Sequence, residues 1–298
     1  MKGFGDNDRT KKKAIEKKIS SLQNDELISD ALSLHSRGKI NEALEIYSLL
    51  IQNKIYDPRI LNNLGSIYSQ IKQIDKAILL FEESIKKFPD CIEAYPNLAN
   101  VLLAKGRSNT AKNVLNKAIE LNPKYLRSYS IMAGILVGEG NLQKAEFFLK
   151  KSLEINPKDI NALVNLACVL KDSGNPKQAE KFLKDALKIN PSFDFALTNL
   201  GAVLNELEKF DEGEQYLRKA LSINSSSPMA LNNLGNILSN KKNNKEAELC
   251  YRKAIEIKLD FSIAYNNLGS LLSKQGNLIE AEKFTQKAID FNPKFELA

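Results

Sequence analysis

The apolar positions of this chain recur with the period of a helix, and the resulting helices recur with a longer period. Between residues 58 and 90, Leu61, Leu64, Gly65 and Tyr68 fall at i, i+3, i+4 and i+7, on one face of a helix. Ala77, Phe81 and Ser84 repeat that spacing in a second stretch, so the segment reads as two amphipathic helices. The couple then repeats. Leu64-Gly65, Leu98-Ala99, Leu166-Ala167, Leu200-Gly201, Leu234-Gly235 and Leu268-Gly269 mark the first helices. Ala77, Ala111, Ala145, Ala179, Gly213, Ala247 and Ala281 mark the second ones, and Ala31 and Ala43 keep the same spacing in the first couple. Four residues further on stands a large apolar side chain at Tyr47, Phe81, Leu115, Leu149, Leu183, Leu217 and Tyr251.

The repeat has a fixed length. Pro89, Pro123, Pro157 and Pro191 are spaced by 34 residues, and Pro293 lies three such steps beyond Pro191. Ser225 and Leu259 occupy the two skipped positions. Gly or Ala where two helices cross lets their axes approach at the short end of about 8–10 Å. Asn122-Pro123 and Asn156-Pro157 read as helix stops, because Asn tolerates a left-handed conformation and Pro cannot continue a helix.

The 34-residue period and the L-G…Y…A…F…A…P skeleton resemble the tetratricopeptide repeat family. The resemblance implies an all-α solenoid of eight helix–turn–helix units, starting at residues 24, 58, 92, 126, 160, 194, 228 and 262. It also implies a right-handed superhelix with a concave groove lined by the first helices, since stacked hairpins bury a shared core and rotate slightly at each step. The array spans 24–295, preceded by a basic arm at 1–23 and followed at 296–298 by what resembles the start of a ninth unit. In the arm, Ile15, Ile19 and Leu22 predict a short amphipathic helix covering the first hairpin. No cap is visible at the other end, so the expectation is either that the protein continues or that the last hairpin exposes apolar surface and self-associates through it.

The sixth position of each unit is off the core stripe. It holds Asn63, Asn97, Asn165, Asn199, Asn233 and Asn267, with Ser29 and Ile131 as exceptions. Asn is a mediocre helix former, costing up to about 0.7 kcal/mol relative to Ala, so its recurrence calls for a compensating role. An amide offers a donor and an acceptor, which suits the backbone of a bound peptide of any sequence. The series resembles the asparagine ladder of O-linked N-acetylglucosamine transferases. Asn62, Asn100, Asn232, Asn236 and Asn240 read as neighbouring groove positions. Net gains of about 0.5–1.5 kcal/mol per hydrogen bond, less ordering costs, predict an affinity on the order of micromolar for an isolated peptide. The competing reading is that these residues were copied with the repeats and are merely solvated. In unit four, Ile131 interrupts the series beside Gly134 and Gly138, which either form a hinge, reflect ordinary drift of the repeat, or make room for a close neighbour.

Composition narrows the function. The chain has 298 residues, 43% hydrophobic and 27% charged, with no apolar run long enough to span a membrane and no secretory signal. Cys91, Cys168 and Cys250 are too scattered for a disulfide framework or a metal cluster, which leaves a cytoplasmic setting as the expectation. Net charge is +7, but residues 1–20 hold seven basic and three acidic side chains. Only this arm offers a basic stripe, so nucleic acid or an anionic membrane is not the expected partner. Glu146 with Lys150, Glu180 with Lys184 and Glu248 with Arg252 sit at i, i+4 in the favourable order and read as a solvated outer face. His35 is the single histidine and has no catalytic partner in sequence; no phosphate loop or paired C-x-x-C occurs, so neither cofactor nor metal is expected. The expected function is a non-enzymatic scaffold binding an extended peptide or protein segment. The alternative is the recognition arm of a glycosyltransferase- or sulfotransferase-like enzyme whose catalytic domain lies outside this chain.

Overall fold

The computed structural model describes residues 24–293, so the expected capping helix around Ile15, Ile19 and Leu22, and residues 296–298, lie outside the described residues. Within them there are sixteen α-helices and no strand. The first eight are α1 (Asn24–Ser36), α2 (Ile40–Gln52), α3 (Pro58–Gln70), α4 (Ile74–Lys87), α5 (Ala94–Ala104), α6 (Ser108–Leu121), α7 (Leu126–Gly138) and α8 (Leu142–Ile155). The others are α9 (Ile160–Asp172), α10 (Pro176–Ile189), α11 (Asp194–Glu206), α12 (Phe210–Ile223), α13 (Pro228–Asn240), α14 (Asn244–Ile257), α15 (Ser262–Lys274) and α16 (Leu278–Phe291). Odd-numbered helices are the first of each hairpin. In the third hairpin, residues 89–90 and 92–93 form turns, and the first helix starts at Ala94. The described residues divide into two compact bodies, one ending at Ile135 and the other starting at Leu136.

Each body is a stack of hairpins. In the first, α3 packs on α4, α4 on α5 and α5 on α6; in the second, each helix from α9 to α16 packs on its neighbours in sequence. Successive first helices also touch, α3 with α5, α9 with α11, α11 with α13, and α13 with α15. The repeated small residues explain how. A Cβ added at Gly65 would come within 2.7 Å of the Phe81 ring, at Gly201 within 2.4 Å of Leu217, and at Gly235 within 2.5 Å of the Tyr251 ring. Those distances are well inside van der Waals contact, so glycine here is a condition of the helix crossing. Leu64, Ile60, Tyr47 and Leu50 are buried in the core of the first body, and Leu234, Leu268, Leu217 and Tyr251 in that of the second.

Two features of the chain ends of these helices were not anticipated. Every first helix closes on a left-handed residue at the fifteenth position of its unit. Gly38, Gly106, Gly140, Gly174 and Gly276 supply it at no steric cost, whereas Lys72, Glu208 and Lys242 adopt it with φ of 60°, 59° and 62°. In each case the next residue's N–H donates back five residues, as from Lys39 to the Leu34 carbonyl (3.0 Å) and from Lys242's neighbour Asn243 to the Leu238 carbonyl (2.8 Å). The asparagines ending the second helices, by contrast, are not left-handed: φ is −139° at Asn122, −132° at Asn156 and −132° at Asn190. Their side-chain Oδ1 atoms accept from the backbone N–H two residues on, at 3.0, 3.1 and 3.0 Å. Asn therefore stops these helices by forming an Asx turn, and the left-handed explanation is corrected.

A Cβ at Gly134 or Gly138 would meet nothing within 4 Å. Neither glycine makes room for a neighbour.

Candidate functional site

The buried residues of each first helix leave one exposed stripe, formed by positions 2, 6, 9 and 13 of the unit. In α13 these are Met229, Asn233, Asn236 and Asn240; in α3 they are Arg59, Asn63, Ser66 and Gln70. Steps of four, three and four residues keep the stripe on one helical face. The sixth-position asparagines lie on it. Asn63, Asn97, Asn199, Asn233 and Asn267 are half-buried and Asn165 is exposed, as are Asn100 and Asn240.

Asn62 and Asn232 lie elsewhere. They are 8% and 2% exposed, one residue before the stripe, on the side of the helix that faces the interior. Asn62 Nδ2 donates to Cys91 Sγ at 3.1 Å, and Asn232 Oδ1 accepts from Asn267 Nδ2 at 2.9 Å. The placement of these two residues on an open groove surface is thereby corrected. Val164 and Pro96 occupy the same position of their units and are buried too.

The sixth-position amides divide into two groups. In the first body, Asn63 Nδ2 donates to Tyr47 Oη (3.2 Å), and the same hydroxyl lies 3.3 Å from His35 Nδ1. In the second, Asn267 Nδ2 donates to Asn236 Oδ1 (3.0 Å), which also accepts from Tyr251 Oη (2.8 Å). Tyr47 and Tyr251 hold the same place in their repeats, but only Tyr47 bonds the amide of the following hairpin directly; Tyr251 and the following hairpin's Asn267 share the Asn236 Oδ1 of Tyr251's own hairpin. Asn199 Nδ2 turns back to the Phe195 carbonyl at 2.8 Å, and Asn240 Nδ2 donates to Asn205 Oδ1 at 2.9 Å. The side-chain amides of Asn97, Asn165 and Asn233 make no hydrogen bond among the described residues, so their donors and acceptors are unspent.

In the first body the stripe borders a cleft of about 970 Å³, lined by Asn63, Asn97, Phe88, Pro89, Arg59 and Arg127 among others. Within it Arg59 is paired locally, forming a fork with Asp57, Nε to Oδ1 at 3.0 Å and Nη2 to Oδ2 at 2.8 Å.

Charge is concentrated on the second helices. The expected pairs Glu146–Lys150, Glu180–Lys184 and Glu248–Arg252 form at 2.7, 2.8 and 2.8 Å. The cation in two of them also reaches the next hairpin, Lys184 to Glu212 at 2.9 Å and Arg252 to Glu280 at 2.8 Å. Arg218 likewise joins Glu214 (2.9 Å) and Glu246 (2.7 Å). This face therefore stitches repeats together besides being solvated. Burial pushes the Glu180 carboxyl up, but hydrogen bonds from Lys184 and Lys209 outweigh it and hold its pKa below the ordinary carboxylate value. The hydrogen bond from Lys241 does most to hold Glu214 down, with Arg218 assisting against burial. Because both folded-state values are depressed, their stabilisation is complete above the ordinary Glu value of about 4.3 and is lost as pH falls through the lowered values. Wild-type melting temperature should therefore drop further between about pH 5 and about pH 3 than that of the Glu180→Gln/Glu214→Gln variant, by an amount worth about 1 kcal/mol or less because the cations are solvent-screened. Equal drops would mean that the Glu180 and Glu214 ion pairs contribute nothing.

The remaining chemistry is quiet. The cysteines are free, and burial raises all three thiols, Cys250 to about 11, which keeps them protonated near neutrality. Among the described residues, no group of three His, Cys, Asp or Glu side chains is placed to hold a metal ion, and no helix is long and apolar enough to cross a membrane.

Family models of the tetratricopeptide repeat match residues 70–135, 136–202, 194–260 and 262–295. A comparison with curated proteins finds no match. Among solved structures, the chain is similar to the APC/C hetero-tetramer Cut9–Hcn1, with 14% identity and a TM-score of 0.68 over 95% of this chain and 57% of that one. A tetratricopeptide repeat protein from Parabacteroides merdae aligns at 18% identity and a TM-score of 0.65, covering 83% of this chain and 98% of that one. PilF of Pseudomonas aeruginosa aligns at 20% identity and a TM-score of 0.57, over 68% and 92%. At these identities the likeness establishes the fold alone.

Proposed function

Because the chain belongs to the tetratricopeptide repeat family, we propose that it is a protein-interaction scaffold holding extended partner segments against the exposed stripes of the first helices within each body. The observation that carries this reading is the set of unspent amides at Asn97, Asn165 and Asn233. Each stands on an exposed face at a fixed place in its repeat and costs helix propensity without an internal hydrogen bond in return. An extended segment has unpaired backbone N–H and C=O groups, and an amide side chain answers both. Recognition of this kind reads main chain, so it tolerates many sequences and gives modest affinity.

The test is a displayed library of random short peptides selected on the full chain. Enriched peptides should bind with dissociation constants on the order of micromolar, and Asn165→Ala/Asn233→Ala, both in the second body, should weaken those bound there about tenfold while helix content stays unchanged. Failure to enrich any peptide would sink the peptide-holding function. Unchanged affinity in the variant would leave the scaffold but remove the amides from its mechanism.

A further inference from the structure

The exposed stripe changes character along the chain at its second position, one turn before the asparagines. The first body places Asp25, Arg59, Glu93 and Arg127 there, alternating in sign. In the second body the same position passes through Asn161 to Phe195, Met229 and Ile263. These three apolar side chains are 51%, 46% and 40% exposed. They precede Asn199, Asn233 and Asn267 by four residues, so each hairpin sets a large apolar group beside an amide on one helical face.

The lane is continuous, because α11 touches α13 and α13 touches α15. It is also uncharged at its middle. Helix α13 contains no acidic or basic residue; α15 contains only Lys274, and α11 contains Asp194, whose Oδ2 accepts from Asn224 Nδ2 at 3.0 Å, and Glu206. Glu206 and Lys274 both sit at the thirteenth position, about three turns from the apolar residues. The second helices of the same hairpins carry the ion pairs described above, so the loss of charge is confined to this face. A charged segment would be desolvated here without a partner, whereas a neutral one would bury apolar area against Phe195, Met229 and Ile263.

The spacing of the lane restricts the occupant further. Neighbouring helix axes lie about 8–10 Å apart. A β-strand returns side chains to one face every second residue, about 6.8 Å, which falls short of that step. A polyproline-II segment returns them every third residue, about 9.3 Å, and leaves its backbone groups free for amides. Resting on the peptide-holding function, we infer that Phe195, Met229 and Ile263 form a specificity lane for an uncharged, polyproline-II-like partner segment with a large apolar side chain at every third position.

The selection on a displayed library of random short peptides separates this inference from the function on which it rests. Peptides enriched on the wild-type chain should carry apolar residues three apart. Phe195→Ser/Met229→Ser/Ile263→Ser should bind those peptides about tenfold more weakly. Met229→Asp, a single exposed change, should recruit Lys or Arg at the middle of the three positions. Enriched peptides without the three-residue spacing, equal binding by the triple variant, or no change of preference with Met229→Asp would each overturn the lane and leave main-chain recognition standing. A fall in sedimentation mass on triple substitution would also overturn it, by showing that the lane meets a second copy of the chain. If no peptide is enriched at all, the peptide-holding function and the lane fall together.

Discussion

Gly235→Val should destabilise the protein by about 3 kcal/mol, the upper end of the cost of overpacking a core, read as a lowered urea midpoint. A Cβ at this position would lie 2.5 Å from Tyr251 Cε1, 2.8 Å from Cδ1 and 2.9 Å from Cζ. The ring cannot swing aside, since Tyr251 is 2% exposed and its hydroxyl is held by Asn236 at 2.8 Å. Gly235→Ala should cost less, because alanine returns about 1 kcal/mol of helix propensity. It should cost less again in a Tyr251→Leu background, as the third and fifth hairpins place Leu115 and Leu183 where Ala99 and Ala167 stand in place of glycine. Gly134→Ala is the control. Nothing lies within 4 Å of a Cβ there, so it should stabilise by about 1 kcal/mol. If the two alanine substitutions behaved alike, close packing would not be why Gly235 is glycine.

The second large effect separates asparagines with internal partners from those without. Asn236→Ala should cost about 2 kcal/mol, since it strips an acceptor from two donors at once. Tyr251 Oη and Asn267 Nδ2 both donate to Asn236 Oδ1, at 2.8 and 3.0 Å. Asn267 retains Asn232 Oδ1 at 2.9 Å, but the buried phenol loses its hydrogen-bond acceptor. In a Tyr251→Phe background the same substitution should cost distinctly less, because the stranded hydroxyl is gone. Asn233→Ala, three residues away, breaks no internal hydrogen bond and should change stability by only about 0.5 kcal/mol or less. A double-mutant cycle in urea checks both statements. Additive costs for Asn236→Ala and Tyr251→Phe would dissolve the proposed network, and a large penalty at Asn233 would mean that its amide has a structural role.

The asparagine series shows where inference from residue pattern stops. Its period was plain, and so was its position beside the core stripe. What Asn63 and Asn267 do was not, because the partner of each is a tyrosine hydroxyl or an amide network brought in by a neighbouring hairpin. The burial of Asn62 and Asn232 was missed for a related reason. Their position is apolar at Val164 but polar at Thr198, so its average character hid the interior placement. The apolar lane was also overlooked, since Phe195, Met229 and Ile263 fit a helix pattern as unremarkable single residues until their exposure is known.

The sequence by itself determined the helices, their pairing and the repeat. Periodicity, small residues at crossings and Asn-Pro stops act over a few residues or at one fixed interval, and such local rules are written in the order of residues. Only the tertiary structure decided which asparagines are spent and which are free. It also decided that Lys72, Glu208 and Lys242 take the left-handed turn that glycine takes elsewhere, held there by the following N–H donating back into the first helix. A hydrogen bond between side chains 31 residues apart, like that of Asn267 with Asn236, depends on distances of a few tenths of an ångström between stacked helices. Residue identity permits such a bond, and packing alone makes it.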